Sequence, residues 1–343
     1  PGIAVGITGS SIWLAFLVAA LCILPAVLSK SELATAMPKS GGTYVYIERA
    51  FGPLFGTVSG LGLWLSLLLK SAFSLVGLSA YLYVVVQIDE SLSKIVALIS
   101  LGLILILNVF GVKKVGNTQL AIVSVSIISL LLVIAFGFNS FDSEMLSPVF
   151  SDGNYGFISG VAFLYISYAG VTKVAAVAGE IKSPEKNLPR SMLISLFLIT
   201  AVYVLVALVL VGNVEASALS TDIRPIYTLS KVLGGETFGY AAGVIGVITL
   251  LSMANSGVLA SSRFPFAMAR DKMLPGFFGT VNSSFLTPVN SIIVTCIIIG
   301  LAVFYLDVEK IAKLASAFKV MMFVSVNLAV IVLRETSAQW YNP

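Results

Sequence analysis

The sequence predicts an all-α protein that crosses a membrane many times. Of its 343 residues, 58% are hydrophobic and only 10% are charged, and the mean hydropathy is +1.03. A soluble chain of this composition would lack the polar residues needed to cover its surface. We therefore expect one transmembrane domain over residues 1–343, embedded in a lipid bilayer.

Nine apolar stretches are each close to the length of about 20 residues that a helix needs to cross a hydrocarbon layer of about 30 Å. They cover residues 11–29, 56–86, 95–112, 119–138, 156–179, 191–212, 237–262, 289–306 and 312–333. The longest polar connections, 139–155 and 213–236, leave no room for a soluble domain. Residues 30–55 alternate charged and apolar residues, as expected for a helix lying at the interface.

The charges predict an orientation. When the connections are assigned alternately to the two sides, 12 Lys and Arg fall on one side, including Lys30, and 5 on the other. Cytoplasmic connections are enriched in Lys and Arg, so the chain starts outside the cell membrane and ends in the cytoplasm. With acidic residues counted, the inner side carries +6, the outer side −5 and the spans +3.

Several classes of function are excluded by residue type. The chain has no histidine, and Cys22 and Cys296 are isolated inside apolar runs. Imidazole catalysis, zinc clusters and a disulfide framework are therefore not expected. No phosphate-binding loop, paired carboxylates or activated nucleophile is present, so we expect a transporter rather than an enzyme, without cofactor, metal or nucleic acid partner.

Lys70 lies halfway along the apolar stretch 56–86. A charged lysine facing lipid at that depth costs about 2.5 to 3.5 kcal/mol, so it is expected to face the interior of the bundle. It is either a proton-titrating or fixed charge, or a structural amine that donates to backbone carbonyls. Lys319 is closer to a span end, where its amine can reach the interface by extending outward.

A second candidate site is the polar interruption within 156–179, where two tyrosines, a serine and a glycine precede Lys173. Irregular backbone at membrane depth survives where it is buried in protein or lines an aqueous cavity. A break near Ala169 and Gly170 would expose backbone carbonyls and amides to a ligand. The alternative is an unbroken helix with Gly170 as a close-packing contact.

Small polar residues in other spans are candidate ligands for a coupling ion. They are Ser124, Ser126, Ser252, Asn255 and Ser256. Their hydroxyl and carbonyl oxygens suit sodium, although such residues more often form hydrogen bonds between helices. Three lysines in the spans without a central acid favour substrates that carry a carboxylate.

Four sequence blocks resemble the cytoplasmic signatures of the amino acid–polyamine–organocation permeases. They are ELATAMPKSGG with TYVYIERAFGP from residue 32, NVFGVKKVGNTQ at 108–119, AGEIKSPEKNLPRSM at 178–192 and SSRFPFAMARDKMLP at 261–275. The resemblance implies two inverted five-helix repeats with broken first and sixth helices. On this reading the chain is a fragment with the second to tenth helices. Residues 1–5 would then be the tail of the first helix, and the C-terminal helices would be missing.

The resemblance also assigns roles to residues. The break of the sixth helix falls on 165–172, with Tyr165, Ser167, Tyr168, Ala169, Gly170 and Thr172 as the substrate-binding residues. Family members often carry a glutamate where this chain has Thr172. Some sodium-independent relatives carry a lysine in the fifth helix, where this chain reads Ser124, Val125, Ser126. Coupling would then use Lys70 or Lys173 with a proton, or Ser126, Ser252 and Ser256 with sodium.

The leading hypothesis is a secondary transporter for neutral or anionic amino acids that works by alternating access and is coupled to protons. A sodium symporter and an ion-independent amino acid exchanger are the alternatives within transport. A membrane sensor that binds an amino acid without moving it is the alternative from another class.

Overall fold

The computed structural model describes residues 1–37, 43–86, 92–110, 115–150, 153–172, 174 and 181–336. Every regular element in these ranges is a helix, as predicted. The α-helices are α1 (Gly2–Thr8), α2 (Ile12–Ala36), α3 (Thr43–Phe51), α4 (Pro53–Val86), α5 (Ser93–Phe110), α6 (Val115–Gly137), α7 (Gly153–Phe163), α8 (Pro184–Val211), α9 (Ala216–Leu219), α10 (Pro225–Arg270), α11 (Val289–Tyr305) and α12 (Val308–Glu335).

Seven helical stretches in these ranges are long and apolar enough to cross a membrane. One of them joins α1 and α2 into a stretch of 35 residues, Gly2–Ala36, and α11 is apolar but shorter. The predicted crossing at 156–179 begins as α7, which ends after 11 residues. The multi-pass architecture is therefore present, while nine crossings and the inverted repeat remain predictions.

The first predicted span ends too early at residue 29. The backbone turns at Gly9, which has a positive φ of 60°, and α2 then continues without interruption to Ala36. Leu33 and Ala34 keep the apolar face of the helix buried beyond the first charged residue. Lys30, which the sequence analysis placed in a connection, therefore lies inside α2 and is only 6% exposed.

A second boundary differs at the connection predicted for 213–236. Much of it is helical, because α10 begins at Pro225. The helical geometry is interrupted at Gly234 and Gly235, and Gly235 has a φ of 73°, which is easily adopted only by glycine. Helical backbone geometry resumes beyond this kink and continues to Arg270.

The buried side chains form two groups. One surrounds α2 and includes residues of α1, α7, α8 and α12; the other surrounds α4 and includes residues of α5, α10 and α11. The predicted interfacial helix is α3, which buries Tyr44, Tyr46 and Ile47 and packs against α4 and α12. The end of α7 lies against α2 and α12.

Candidate functional site

The polar interruption in the fifth predicted stretch is a break in the helix. α-Helical hydrogen bonding ends at Phe163 and is followed by a 3₁₀ turn over Leu164–Tyr168. The amide of Ala169 then donates to Ile166 (3.2 Å) and that of Val171 to Tyr168 (3.1 Å). We call residues 164–172 the interrupted segment. The α-helix thus ends at Phe163, earlier than the break predicted near Ala169 and Gly170, and the irregular backbone continues through both of these residues.

Side chains of neighbouring helices donate hydrogen bonds to backbone carbonyl groups at this break. The Ser316 hydroxyl of α12 donates to the carbonyl of Phe163 at 2.7 Å. The Tyr203 hydroxyl of α8 donates to the carbonyl of Ser167 at 3.4 Å, a distance beyond the usual range for a strong hydrogen bond. Side chains from two other helices thus replace part of the helical bonding that ends at Phe163.

Tyr168 anchors the interrupted segment to α2. Its side chain is fully buried, and its hydroxyl donates to the carbonyl of Phe16 at 2.9 Å. Its ring lies edge-on to the rings of Phe16 and Tyr203, with centroid distances of 6.5 and 5.6 Å. Tyr165 lies on the other side, with its ring 6.1 Å from that of Phe323 in α12.

Gly170 is not a close-packing glycine, so that alternative is wrong. A methyl group built on its Cα would meet no atom within 4 Å. Ala169, by contrast, is 2% exposed. The glycine therefore leaves open space beside the backbone where the helical pattern is lost.

Thr172 ends the interrupted segment in contact with a lysine. The Lys30 amine of α2 donates to the Thr172 hydroxyl at 3.1 Å. The two residues are 6% and 0% exposed. This contact was not predicted, although Val27, Leu33 and Ala34, at i−3, i+3 and i+4 from Lys30, mark the same buried helical face.

The other candidate lysines occupy different environments. Lys319, expected to extend outward, is 4% exposed, and its amine lies 4.7 Å from the centre of the Phe323 ring. That expectation is wrong because its face of α12, with Ser316, packs toward α7 and the interrupted segment. Lys70 is half-buried in α4. Lys173 lies outside the described residues.

Two of the candidate coupling serines, Ser126 and Ser252, form hydrogen bonds between α6 and α10. Ser126 and Thr249 are joined by a hydrogen bond of 2.6 Å, and Ser252 donates to Gln119 at 2.5 Å. Further along α10, the Asn108 amide donates to the Asn255 side-chain carbonyl at 2.8 Å. Ser256 donates to the carbonyl of Met253 in its own helix, and Ser124 is exposed.

A cavity of about 260 Å³ connects part of this polar interface with the end of α7. Its polar lining includes Ser126, Ser129, Thr249 and Asp222, and Phe163 forms part of its wall. The remaining lining is mostly apolar and comes from α1, α4, α6 and α10. Ser126 and the end of α7 thus border one space, whereas Ser252 and Ser256 do not line it.

The family model described as amino acid permease matches residues 1–343. The chain belongs to the amino acid permease family. The resemblance stated from the four sequence blocks is thereby confirmed. The members found by comparison are transporters rather than enzymes.

Three curated relatives illustrate the family's range. The serine/threonine exchanger SteT of Bacillus subtilis is 26% identical over 347 residues, which cover 98% of this permease and 78% of the exchanger. The vacuolar cationic amino acid transporter 4 of Arabidopsis thaliana is 27% identical over 351 residues, covering 95% and 58%. The branched-chain amino acid permease BcaP of Bacillus subtilis is 26% identical over 348 residues, covering 95% and 74%.

Proposed function

We propose that this permease moves amino acids across a cell membrane by alternating access. The observation that carries the proposal is the interrupted segment, whose irregular backbone lies inside a bundle of apolar helices. Such backbone at membrane depth supplies hydrogen-bonding groups to a polar ligand. Tyr165, Ser167, Tyr168, Ala169, Gly170 and Thr172 are the proposed substrate-binding residues.

Charge favours neutral or anionic amino acids. Lys30 is buried next to the interrupted segment. Lys319 is buried on α12, a helix that contacts this segment. Residues 164–172 contain no acidic residue. A substrate carboxylate is attracted by such lysines when they are charged, whereas a cationic side chain is repelled. The relatives are named for serine and threonine, branched-chain and cationic amino acids, so the proposal rests on this local charge argument.

The coupling proposal follows the sequence prediction. A proton is the favoured ion, with Lys70 as the titrating amine and Lys173 as a further candidate. The sodium alternative uses Ser126, Ser252 and Ser256, of which Ser126 and Ser252 already bond to side chains of neighbouring helices. Hydrogen bonding between helices accounts for these two serines without an ion.

Transport is tested with the purified permease in proteoliposomes. Radiolabelled serine, leucine, glutamate and arginine are supplied outside, with an inward proton gradient, a sodium gradient or neither. We expect uptake of serine, leucine or glutamate that the proton gradient accelerates. If Lys70 is the titrating amine, Lys70→Ala removes this proton dependence while some substrate binding remains. Uptake that follows sodium and ignores pH contradicts the proton mechanism.

Two further arms separate the alternatives. An exchanger takes up label only when the vesicles are preloaded with unlabelled amino acid. The relative SteT is a serine/threonine exchanger, so this condition is included. A sensor shows saturable binding of the labelled amino acid without uptake under any gradient. Saturable binding and flux together support the transport proposal.

A further inference from the structure

The contact between Lys30 and Thr172 joins two distant parts of the chain inside the protein. Lys30 lies in the last two turns of α2, and Thr172 is the last residue of the interrupted segment, 142 positions later. Both side chains are buried, and the amine and the hydroxyl are 3.1 Å apart. A change at the amine therefore acts directly on the segment proposed to bind substrate.

Other titratable groups lie on α2 and on the elements packed against it. On α2 itself, Glu32 is held by Arg334 of α12 through two hydrogen bonds of 2.8 and 2.6 Å. On α12 the remaining titratable groups are Glu309, Lys310, Lys313, Lys319 and Glu335. On α8 they are Glu185, Lys186, Arg190 and Tyr203. The last are Tyr155 on α7 and Tyr165 and Tyr168 in the interrupted segment. Among the described residues, no carboxylate forms an ion pair with Lys30.

A hydroxyl partner suits an amine that gains and loses a proton. An ammonium group only donates hydrogen bonds, and the threonine oxygen accepts one. A neutral amine also has a lone pair, so the hydroxyl is then able to donate to it instead. A carboxylate would stabilise the ammonium form by its charge. The contact with Thr172 therefore remains possible in both protonation states.

We propose that Lys30 is a positioning residue that transmits proton binding to the interrupted segment through Thr172. The inference rests on the proposed amino acid transport and makes Lys30 in α2 an alternative to Lys70, the coupling amine predicted from the sequence; the pH profiles of the two variants distinguish them. With the proton bound, the ammonium group holds Thr172 and favours one position of the segment. After the proton leaves, the weaker contact lets the segment move in the transport cycle.

The principal experiment compares pH profiles of uptake in proteoliposomes. For wild type, kcat is expected to change by up to about tenfold per pH unit where one protonation controls the rate. Lys30→Met is expected to transport slowly with a flat profile. Lys30→Arg should be equally flat because arginine keeps its proton.

Variants of the partner and of a neighbouring lysine complete the test. Thr172→Ser retains the hydroxyl and should preserve the pH dependence, whereas Thr172→Val should flatten it. Lys186→Gln removes an exposed lysine at the start of α8 and should leave the profile unchanged. A normal pH profile in Lys30→Met, above all together with a flat profile in Lys70→Ala, overturns the proposal.

A measurement of thermal stability tests the role of Lys30 independently of the proposed transport function. Failure of the wild type to take up any amino acid contradicts the proposed function. The role of Lys30 is then judged from melting temperatures in detergent between pH 5 and 9, because a group whose pKa differs between the folded and the unfolded protein makes stability depend on pH. A difference between wild type and Lys30→Met that changes with pH supports titration, and parallel curves overturn it.

Discussion

The Tyr168 hydroxyl donates a 2.9 Å hydrogen bond to the carbonyl of Phe16, which ties the interrupted segment to the beginning of α2. The tyrosine proposed to bind substrate is thus also a structural contact between two elements. Its ring lies among Phe16 and Tyr203, so ring and hydroxyl have separable effects.

Tyr168→Phe keeps the ring and removes the hydroxyl. We expect the stability to fall by about 0.5 to 1.5 kcal/mol, the usual net value of one hydrogen bond, while KM for the transported amino acid changes less than about twofold. Thermal unfolding in detergent and uptake kinetics measure the two quantities. An increase in KM without loss of stability would show that the hydroxyl contacts the substrate instead.

Gly170 and Gly160 form a matched pair for alanine substitution. A methyl group at Gly170 enters open space, whereas one at Gly160 lies 1.9 Å from Cγ2 of Thr8 in α1. We expect Gly170→Ala to fold like wild type but to raise KM, because the methyl group occupies the proposed binding space. Gly160→Ala should lose about 1 to 3 kcal/mol of stability through overpacking. A Gly170→Ala permease with unchanged KM contradicts the placement of substrate beside this residue.

The serines at the α6–α10 interface are expected to act as packing contacts. Ser126→Ala and Ser252→Ala each remove a bond between helices, which is worth about 0.6 kcal/mol on average in membrane proteins. Uptake measured with sodium and with choline should show the same ion dependence as wild type. Loss of a sodium requirement in either variant would instead establish a sodium site there.

Loss of the hydroxyl should affect protein stability differently at Tyr44 and Tyr46, two tyrosines of α3. The Tyr44 hydroxyl donates to the Asp271 carboxylate at 2.8 Å, while the buried Tyr46 hydroxyl has no partner among the described residues. We expect Tyr44→Phe to lose about 1 to 2 kcal/mol of stability and Tyr46→Phe to be neutral or more stable. Equal losses in the two variants would contradict this assignment.

The hydrogen bond between Tyr44 and Asp271 also predicts a loss of stability at alkaline pH. Burial, and then the hydrogen bond to Asp271, raise the pKa of Tyr44 above its ordinary value of 10.0. A raised pKa in the folded state gives stability that is fully present below the unfolded pKa and is lost as pH rises above it. The wild type should therefore lose stability above about pH 10, and Tyr44→Phe should lose less over the same range in thermal unfolding. Curves that fall in parallel would show that Tyr44 does not contribute.

The chain composition and its apolar runs were sufficient to predict the class of protein and most of the membrane-spanning helices. The run around Lys70 became α4, and the polar residues within 156–179 coincide with the interrupted segment, because each signal is local in the sequence. Boundaries were less predictable where an apolar face continues past a charged residue, as in α2 beyond Lys30. The kink at Gly235 likewise lies within a stretch that the sequence analysis treated as a connection.

The sequence by itself therefore predicted a membrane permease with a break at residues 165–172, since hydrophobic length and short motifs carry that information. Tertiary structure decided which polar side chains meet. Ser124 is exposed while Ser126 bonds to Thr249, because the rotation of α6 about its axis is set by packing against α10. Lys30 reaches Thr172 across 142 positions, because α2 packs against the interrupted segment, and such a contact depends on the folded arrangement of the helices.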